Sequence, residues 1–289
     1  MNNAILIGFD RSGTSAISRS LAMHPDIELI FRPFNSGSLR KKMYEILDDK
    51  NISEEDLLFF EKLQQEELYS DYFVSEWHLK YSTVKTAFKP GKFHLMITNI
   101  NHFSIRWVSQ NFPRIEQWGI WRDPIDILNS CVKNKFYGSW YEDALSTILI
   151  SVEREKSLAE HFGDYIDLVK CGNDVIKTAF LLAVRNYFLF ANINPCKVIN
   201  YEVFKTDANS ALKHFLKYFK LNEEFDFNPF LDQDLNSIAS IDGYKKNKSS
   251  KNVLSRDEEL IANELFNPLY KIYEERHQGG EVLRLPYNK

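Results

Sequence analysis

Cysteine, glycine and proline are scarce in this 289-residue sequence, and no long apolar run is present. The three cysteines, at positions 131, 171 and 196, are far apart, which excludes a disulfide framework and a cysteine-ligated metal site and favours a reducing compartment. The first residues lack a basic segment ahead of an apolar core, and no apolar stretch reaches the length of a membrane span. We therefore expect a cytoplasmic chain without a signal peptide or a transmembrane helix.

The charge balance is close to neutral, with a formal net charge of −4. It gives no reason to expect nucleic acid or an acidic membrane surface as a partner, so any site for an anion must be local. The 22 Phe and 14 Tyr residues indicate a helix-rich chain with aromatic packing. The length fits a single domain, 1–289, with a helical and aromatic insertion at about 39–90 and a basic loop at about 244–251.

The first residues predict a strand, a tight loop and a helix. An apolar run ends at Gly8, a polar loop follows, and an amphipathic pattern begins at Thr14. Backbone N–H groups at a helix N-terminus have no intrahelical partner and attract anions. Arg11 adds a positive charge, and the hydroxyls of Thr14 and Ser15 add hydrogen-bond donors.

The spacing from Gly8 to Gly13 fits the phosphate-binding pattern G-x-x-x-x-G-K-[ST], except that Thr14 stands at the lysine position. The missing lysine argues against an ordinary ATP or GTP hydrolase, because that lysine contacts the β- and γ-phosphates. Two interpretations stay open for the loop alone. It is a cradle for an anion, or a turn whose glycine and Ser/Thr residues only cap the helix.

Alternating strands and helices predict an α/β fold with a doubly wound parallel sheet. The first two strands are expected to pair, and the loops after the strands are expected to share one crevice. Further strands are predicted at 27–31, 93–98, 117–121 and 197–201. Helices are predicted at 39–50, 53–70, 103–111, from 124, 140–161, 175–191, 208–219 and 256–276, with caps at Ser53 and Asp123 and with Asp56 and Pro124 inside the first turns.

Two segments together resemble the sulfotransferases that use 3′-phosphoadenosine-5′-phosphosulfate (PAPS). Residues 9–15, FDRSGTS, followed by LAMHP at 21–25, are similar to the 5′-phosphosulfate loop of that family. The strand ending in Trp121-Arg122-Asp123-Pro124, with Ser130 eight residues past the arginine, is similar to its 3′-phosphate motif. Phe112-Pro113 before that strand and Asn200-Tyr201-Glu202 after a later one also match. The resemblance covers about the first 205 residues and implies a P-loop-like sulfotransferase fold.

The resemblance implies that PAPS, with 3′-phosphoadenosine-5′-phosphate (PAP) as product, binds without a metal. Arg11, Ser12, Gly13, Thr14 and Ser15 would hold the 5′-phosphosulfate, and Arg122 and Ser130 the 3′-phosphate. Arg11 would also balance charge on the bridging oxygen during transfer. The basic stretch 244–251 is a solvated loop or a cover over a phosphate; on the second interpretation Lys248 and Ser249 join the donor site.

The general base of that family is a His or a Glu. His102 follows the strand 93–98, although the Lys-x-Pro pattern that often precedes the family's histidine is absent here. Arg32 precedes Pro33 where many relatives have an acidic residue, which transfers the expected role to His102 and suggests that Arg32 contacts an anionic acceptor. A polar or helix-capping histidine is the alternative.

The acceptor is expected to be a small molecule, a sugar or a lipid, and the oligomeric state is open. The aromatics of 69–88, with Phe136, Tyr137, Trp140 and Tyr141, form either an acceptor wall or an insertion core. Two alternatives to a sulfotransferase remain: a P-loop kinase of a nucleoside or small molecule, and a non-catalytic nucleotide-binding protein.

Overall fold

The chain forms a five-stranded parallel sheet flanked by helices, as predicted. A computed structural model describes residues 3–31, 33–35, 42, 44–67, 91–99, 101–135, 139–231 and 253–277. The strands are β1 (Asn3–Ile7), β2 (Ile27–Phe31), β3 (Phe93–Thr98), β4 (Glu116–Trp121) and β5 (Val198–Asn200). Their order across the sheet is β2-β3-β1-β4-β5, and every neighbouring pair is parallel. The fold class predicted from the alternating pattern is therefore confirmed.

The helices cover both faces of the sheet. They are α1 (Thr14–Leu21), α2 (Glu54–Gln64), α3 (Ile105–Asn111), α4 (Pro124–Lys133), α5 (Ser139–Arg154), α6 (Lys156–Phe162), α7 (Ile166–Cys171), α8 (Asp174–Asn192), α9 (Tyr201–Thr206), α10 (Ala208–Tyr218), α11 (Asn228–Leu231) and α12 (Arg256–His277). Short 3₁₀ turns lie at Pro33–Asn35, Asn101–Ser104, Gly163–Tyr165 and Pro195–Lys197.

Alternation along β1 divides the core into two layers. Ile5 and Ile7 point to one face, where α8 and α12 pack, and Ala4 and Leu6 point to the other, where α1 and α10 pack. All five residues of β1 are buried, as expected for a central parallel strand covered on both faces. The sheet is thus held from both sides, and its carboxyl edge is fixed in position.

Two helix starts follow the predicted capping chemistry. Ser53 Oγ accepts a hydrogen bond from the Asp56 N–H (3.2 Å) and donates one to the Asp56 carboxylate (2.6 Å). Asp123 Oδ1 accepts from the Ile125 N–H at 2.8 Å, and Pro124 is the first residue of α4. These contacts satisfy N–H groups that have no partner within the helix, and both predicted caps are confirmed.

The predicted pairing of the first two strands is wrong. β3 lies between them, pairing Met96 with both Ile5 and Ile30. A helical connection places a parallel strand in the same sheet but does not determine which strand becomes its neighbour, because a later strand can insert between the two.

The helix predicted at 39–50 is also wrong where the structure describes it. Residues 44–50 form turns, since the Asp48 carboxylate accepts the N–H groups of Lys50 (2.8 Å) and Asn51 (3.1 Å). The helix predicted at 53–70 is shorter, as α2 ends at Gln64 and Glu66 takes a left-handed φ of 61°.

Two further boundaries differ from the prediction. The helix expected at 140–161 is broken between α5 and α6 at Glu155, whose backbone is extended and whose carboxylate binds Arg106. The last strand ends at Asn200 rather than at Tyr201. The Asn200 side chain accepts the N–H groups of the first turn of α9, so Tyr201 begins a helix.

Candidate active site at the carboxyl edge of the sheet

The loops that follow four of the strands meet at one edge of the sheet, as predicted. The Gly8 N–H donates to the carbonyl of Thr98 (3.2 Å), which joins the loop after β1 to the end of β3. Arg122, after β4, donates from Nη1 to the carbonyl of Arg11 (2.6 Å). Tyr201, after β5, packs its ring against Gly13. The prediction that these loops come together at the carboxyl ends of the strands is therefore confirmed.

The loop between β1 and α1 has an unusual backbone. Arg11 and Gly13 have positive φ angles of 68° and 98°, and Ser12 between them does not. A Cβ atom at Gly13 would lie 2.2 Å from a ring carbon of Tyr201, so only glycine fits this position. Alternating backbone conformations of this kind turn successive N–H groups toward a common point, which is a usual form of an anion-binding concavity.

The N-terminus of α1 has no side-chain cap. Gly13 occupies the N-cap position, and neither a serine nor a threonine hydroxyl accepts a hydrogen bond there. Among the described residues, none accepts a hydrogen bond from the backbone N–H groups of Gly13, Thr14 or Ser15. This geometry contradicts the interpretation of the loop as a capped turn. It favours the anion cradle, because these donors carry the positive end of the helix dipole.

The residues expected at the two ends of the nucleotide lie side by side. Arg11 Nε donates to Ser130 Oγ at 3.1 Å, joining positions 119 residues apart. Arg122 stacks its guanidinium on the ring of Tyr201 (4.8 Å). Its Nε is buried and has no hydrogen-bond partner among the described residues, and the same is true of Ser12 Oγ. The site therefore combines two cations with two buried polar atoms that have no hydrogen-bond partner in the described part of the chain.

Cys131 lies beneath this cluster on α4 and has no exposed surface. Burial, and then the Asp10 carboxylate, raise the pKa of its thiol far above the ordinary value, while Arg11 and Arg122 have a weaker opposite effect on that pKa. Cys131 therefore stays a neutral thiol. It packs under the site, as its inward position on the predicted helix indicated.

His102 lies behind the loop and is fully buried. Its ring is 6.3 Å from that of Phe9, measured between centroids. Its Nδ1 is 3.0 Å from Nη2 of Arg185, a residue of α8 that is also fully buried. Burial, and next the charge of Arg185, hold the pKa of His102 well below its ordinary value. The general-base role of His102 stays a prediction.

Three residues of this buried region were not singled out from the sequence as site residues. Asp10 accepts a hydrogen bond from the side-chain amide of Asn99, and the Asn99 carbonyl accepts one from Arg185. A signal for Arg185 was available, because it stands in the apolar run FLLAVRNYFLF of a predicted helix. A charged residue at a buried helical position requires a partner in the interior.

Several predicted site residues lie outside the described part of the chain. They are Arg32, Lys248, Ser249, the aromatics of 69–88, Phe136 and Tyr137, and the side chains of Trp140 and Tyr141. Val253, the first described residue after the basic stretch, donates its N–H to Asn129 Oδ1 at 3.0 Å. Asn129 precedes Ser130 on α4, so Val253 lies near the predicted 3′-phosphate site.

In the part of the chain that the structure describes, no three or more His, Cys, Asp or Glu residues are grouped as metal ligands would be. No described helix is both long and apolar enough to cross a lipid bilayer.

No protein-family model matches the sequence, and no curated protein does. Among solved structures, the chain is similar to the crystal structure of a sulfotransferase from Alicyclobacillus acidocaldarius, with 14% sequence identity and a TM-score of 0.48 over 96% of each chain. A likeness of this size does not extend to individual residues, so the roles of the site residues must come from the geometry of this chain.

Proposed function

We propose that this chain is a sulfotransferase that moves a sulfuryl group from PAPS to a hydroxyl or amine of an acceptor. The observation that supports this most is the hydrogen bond from Arg11 Nε to Ser130 Oγ. It brings together two short motifs that the sequence resemblance assigns to the two ends of one nucleotide. If the match of either motif to that family were a coincidence, there would be no reason for Arg11 and Ser130 to be in contact.

The loop between β1 and α1 suits the 5′-phosphosulfate. The N–H groups of Gly13, Thr14 and Ser15 supply donors at a helix N-terminus, and Arg11 supplies a full charge. Ser12 Oγ is a further buried polar atom of the loop. A phosphosulfate carries negative charge on several oxygens, and this set of donors complements it.

Arg122 and Ser130 suit the 3′-phosphate, which distinguishes PAPS from ATP. A guanidinium binds phosphate with two parallel hydrogen bonds, and Arg122 Nε has no partner among the described residues. The stack on Tyr201 holds the guanidinium plane in position. Lys248 and Ser249 remain predicted contributors to the same phosphate.

The bound donor would supply an activated sulfur with PAP as its leaving group. In an in-line transfer, a bond forms between the acceptor oxygen or nitrogen and sulfur, and the bond from sulfur to the bridging oxygen breaks. Its electron pair stays on PAP, and the proton of the acceptor passes to a general base or to solvent water. Arg11 and the loop N–H groups would stabilise the charge that develops on the leaving oxygens. This role needs fixed donors and requires no acid or base from the loop.

The donor preference tests the proposal directly. PAP, ATP with magnesium, and AMP are compared by thermal shift, because a ligand that binds only the folded chain raises its melting temperature. We expect PAP at about one hundred times its dissociation constant to raise the melting temperature by roughly 5 °C or more. AMP and ATP are expected to give smaller shifts. A larger shift with ATP and magnesium would favour the kinase alternative.

Variants of the site residues test whether the rise in melting temperature with PAP comes from binding at this site. Arg11→Ala and Ser130→Ala are each expected to reduce the shift with PAP, and the exposed Arg114→Ala is the control that keeps it. Unchanged PAP affinity in both site variants would refute the assignment. Transfer of labelled sulfate from PAPS to a panel of phenols, sugars and lipids then separates an enzyme from a non-catalytic nucleotide-binding protein.

A further inference from the structure

Arg185 is a buried cation that the proposed reaction does not use. It lies in the middle of α8, with no exposed surface. Its guanidinium carbon is 4.9 Å from the ring centre of Phe9 and 5.7 Å from that of Tyr44. A buried charge is costly unless hydrogen bonds and an opposite charge compensate it. The position of Arg185 therefore needs an explanation in the residues around it.

Asn99 connects Arg185 to the phosphate-binding loop. Arg185 Nη2 donates to the Asn99 carbonyl, and the Asn99 side-chain amide donates to the Asp10 carboxylate. Asp10 is buried and precedes Arg11 in the loop. The cation of α8 and the anion of the loop are thus linked through one residue, and Arg185 supports the loop from behind.

The contact between Arg185 and His102 fixes the position of a proton. A guanidinium has N–H donors and no acceptor, and it stays protonated in proteins. Because Arg185 Nη2 lies 3.0 Å from His102 Nδ1, this nitrogen has to present its lone pair. The proton of the neutral imidazole is then on Nε2. A ring nitrogen that already carries a hydrogen cannot take one from an acceptor.

The surroundings of His102 agree with a neutral ring. Among the described residues, Arg185 on α8 is the charged group that acts on the pKa of His102, and the carboxylate of Asp10 in the loop is engaged by Asn99. Burial and Arg185 lower the pKa of His102, and the weaker effect of the Asn186 side chain raises it. A second positive charge next to Arg185 is therefore disfavoured.

We propose that Arg185 is a positioning residue that holds His102 as the Nε2–H tautomer. The Nε2–H of His102, which is buried and has no hydrogen-bond partner among the described residues, is then available as a donor to a ligand, and the ring is not the proton acceptor. The assignment of the tautomer stands on geometry alone. The statement about proton transfer rests on the proposed sulfotransferase function.

The tautomer is read by long-range ¹H–¹⁵N NMR of the full chain labelled at histidine nitrogens. The His102 signals are assigned by their loss in His102→Gln. In the wild type we expect a proton on Nε2, none on Nδ1, and no titration of this ring between pH 8 and pH 6. A proton on Nδ1, or a titration in that range, would overturn the proposal.

Two variants of Arg185 separate positioning from simple packing. Arg185→Lys keeps a donor for Nδ1 and is expected to keep the Nε2–H tautomer, whereas Arg185→Met removes the donor and is expected to lose that preference. A melting curve of each variant shows whether it folds. If Arg185→Met is folded and its His102 spectrum is unchanged, Arg185 does not control the tautomer.

Kinetics of His102 variants tests its role as a donor. His102→Gln places an amide N–H near the position of Nε2, and His102→Ala has none. A donor role predicts that Gln keeps turnover within about tenfold of wild type while Ala loses more. A general base predicts losses of about 10²–10⁴-fold in both variants. A wild-type chain without transfer activity would refute the proposed function alone, because the NMR result still decides the tautomer.

Discussion

Two clusters at opposite ends of the sheet, one around Glu116 and one in the loop after β1, differ in how their buried polar groups are partnered. At the amino end of β4, the Glu116 carboxylate binds the Lys197 ammonium through one oxygen and accepts the Tyr218 hydroxyl through the other (2.9 Å). Lys197 Nζ also lies 5.1 Å from the ring centre of Tyr218. At the carboxyl end, Arg122 Nε and Ser12 Oγ are buried without a partner among the described residues.

This difference distinguishes residues that stabilise the fold from residues that are available to bind a ligand. A buried polar group with all its hydrogen bonds contributes to a unique fold, whereas one without a partner costs free energy that only a ligand or water can recover. We infer that the Glu116 cluster stabilises the sheet and that the loop cluster is maintained for a ligand. If stability and PAP affinity changed together in variants of the two clusters, this distinction between them would be refuted.

The largest expected effect is on stability at the amino end. Glu116→Ala leaves Lys197 without its counter-charge in a site where the two side chains are only 5% and 19% exposed. We expect a loss of about 3 kcal/mol in the free energy of unfolding, measured by urea denaturation. The PAP affinity of the folded variant should equal that of the wild type. A reduced affinity would show that the two ends are coupled.

The next effect is on binding at the carboxyl end. Arg122→Ala is expected to weaken PAP binding by about 1.5–3 kcal/mol, roughly 10–100-fold, by isothermal titration. Arg122→Lys keeps the charge but loses the forked geometry, and we expect it to restore only part of the affinity. Full affinity in Arg122→Lys would mean that charge alone is recognised.

Ser12→Ala is expected to change PAP affinity less than Arg122→Ala does, but it distinguishes stability from binding most clearly. Removing a buried hydroxyl without a partner is expected to leave the melting temperature unchanged or slightly higher. If the hydroxyl serves the ligand, the same change lowers PAP affinity by about 1 kcal/mol. A lower melting temperature with normal PAP affinity would place Ser12 with the stabilising residues.

The smallest effect is expected at a more exposed pair that serves as a reference. Arg106 donates to both carboxylate oxygens of Glu155, at 3.1 Å and 2.8 Å, and the hydrogen bond from Arg106 lowers the pKa of Glu155. A lowered carboxylate pKa adds stability above the unfolded value of 4.5, and that stability is lost as the pH falls through the folded pKa. When the pH falls through the folded pKa of Glu155, the wild type should lose more of its free energy of unfolding than Glu155→Gln does. We expect a difference of about 1 kcal/mol or less between the two losses, because Arg106 is 38% exposed.

The local features of the fold were predictable from the sequence. The strand Phe93–Thr98, the cap at Ser53 and the start of α4 at Pro124 depend on nearby residues, and each is found where the pattern placed it. The long last helix also follows its pattern closely, as the structure begins it at Arg256.

The remaining features depend on contacts between distant residues. The insertion of β3 beside β1 cannot be read from either strand, since every residue of both is buried and neither sequence specifies its neighbour in the sheet. The two short motifs around Arg11 and Ser130 indicated the site, but their mutual contact required the fold. The buried link from Arg185 through Asn99 to Asp10 joins three separate segments, and no spacing in the sequence reveals it.

The packing of Tyr201 on Gly13 has a consequence for how such sequences diverge. Any side chain at position 13 would overlap the Tyr201 ring and would strain a backbone with a φ of 98°, so a change at position 13 requires a change at position 201. A homologue with alanine at position 13 is expected to carry a small residue at position 201. Because Tyr201 also supports Arg122, that exchange would leave the arginine without its aromatic partner. The loop segment that contains Gly13 and the segment that contains Tyr201 are therefore expected to be conserved together.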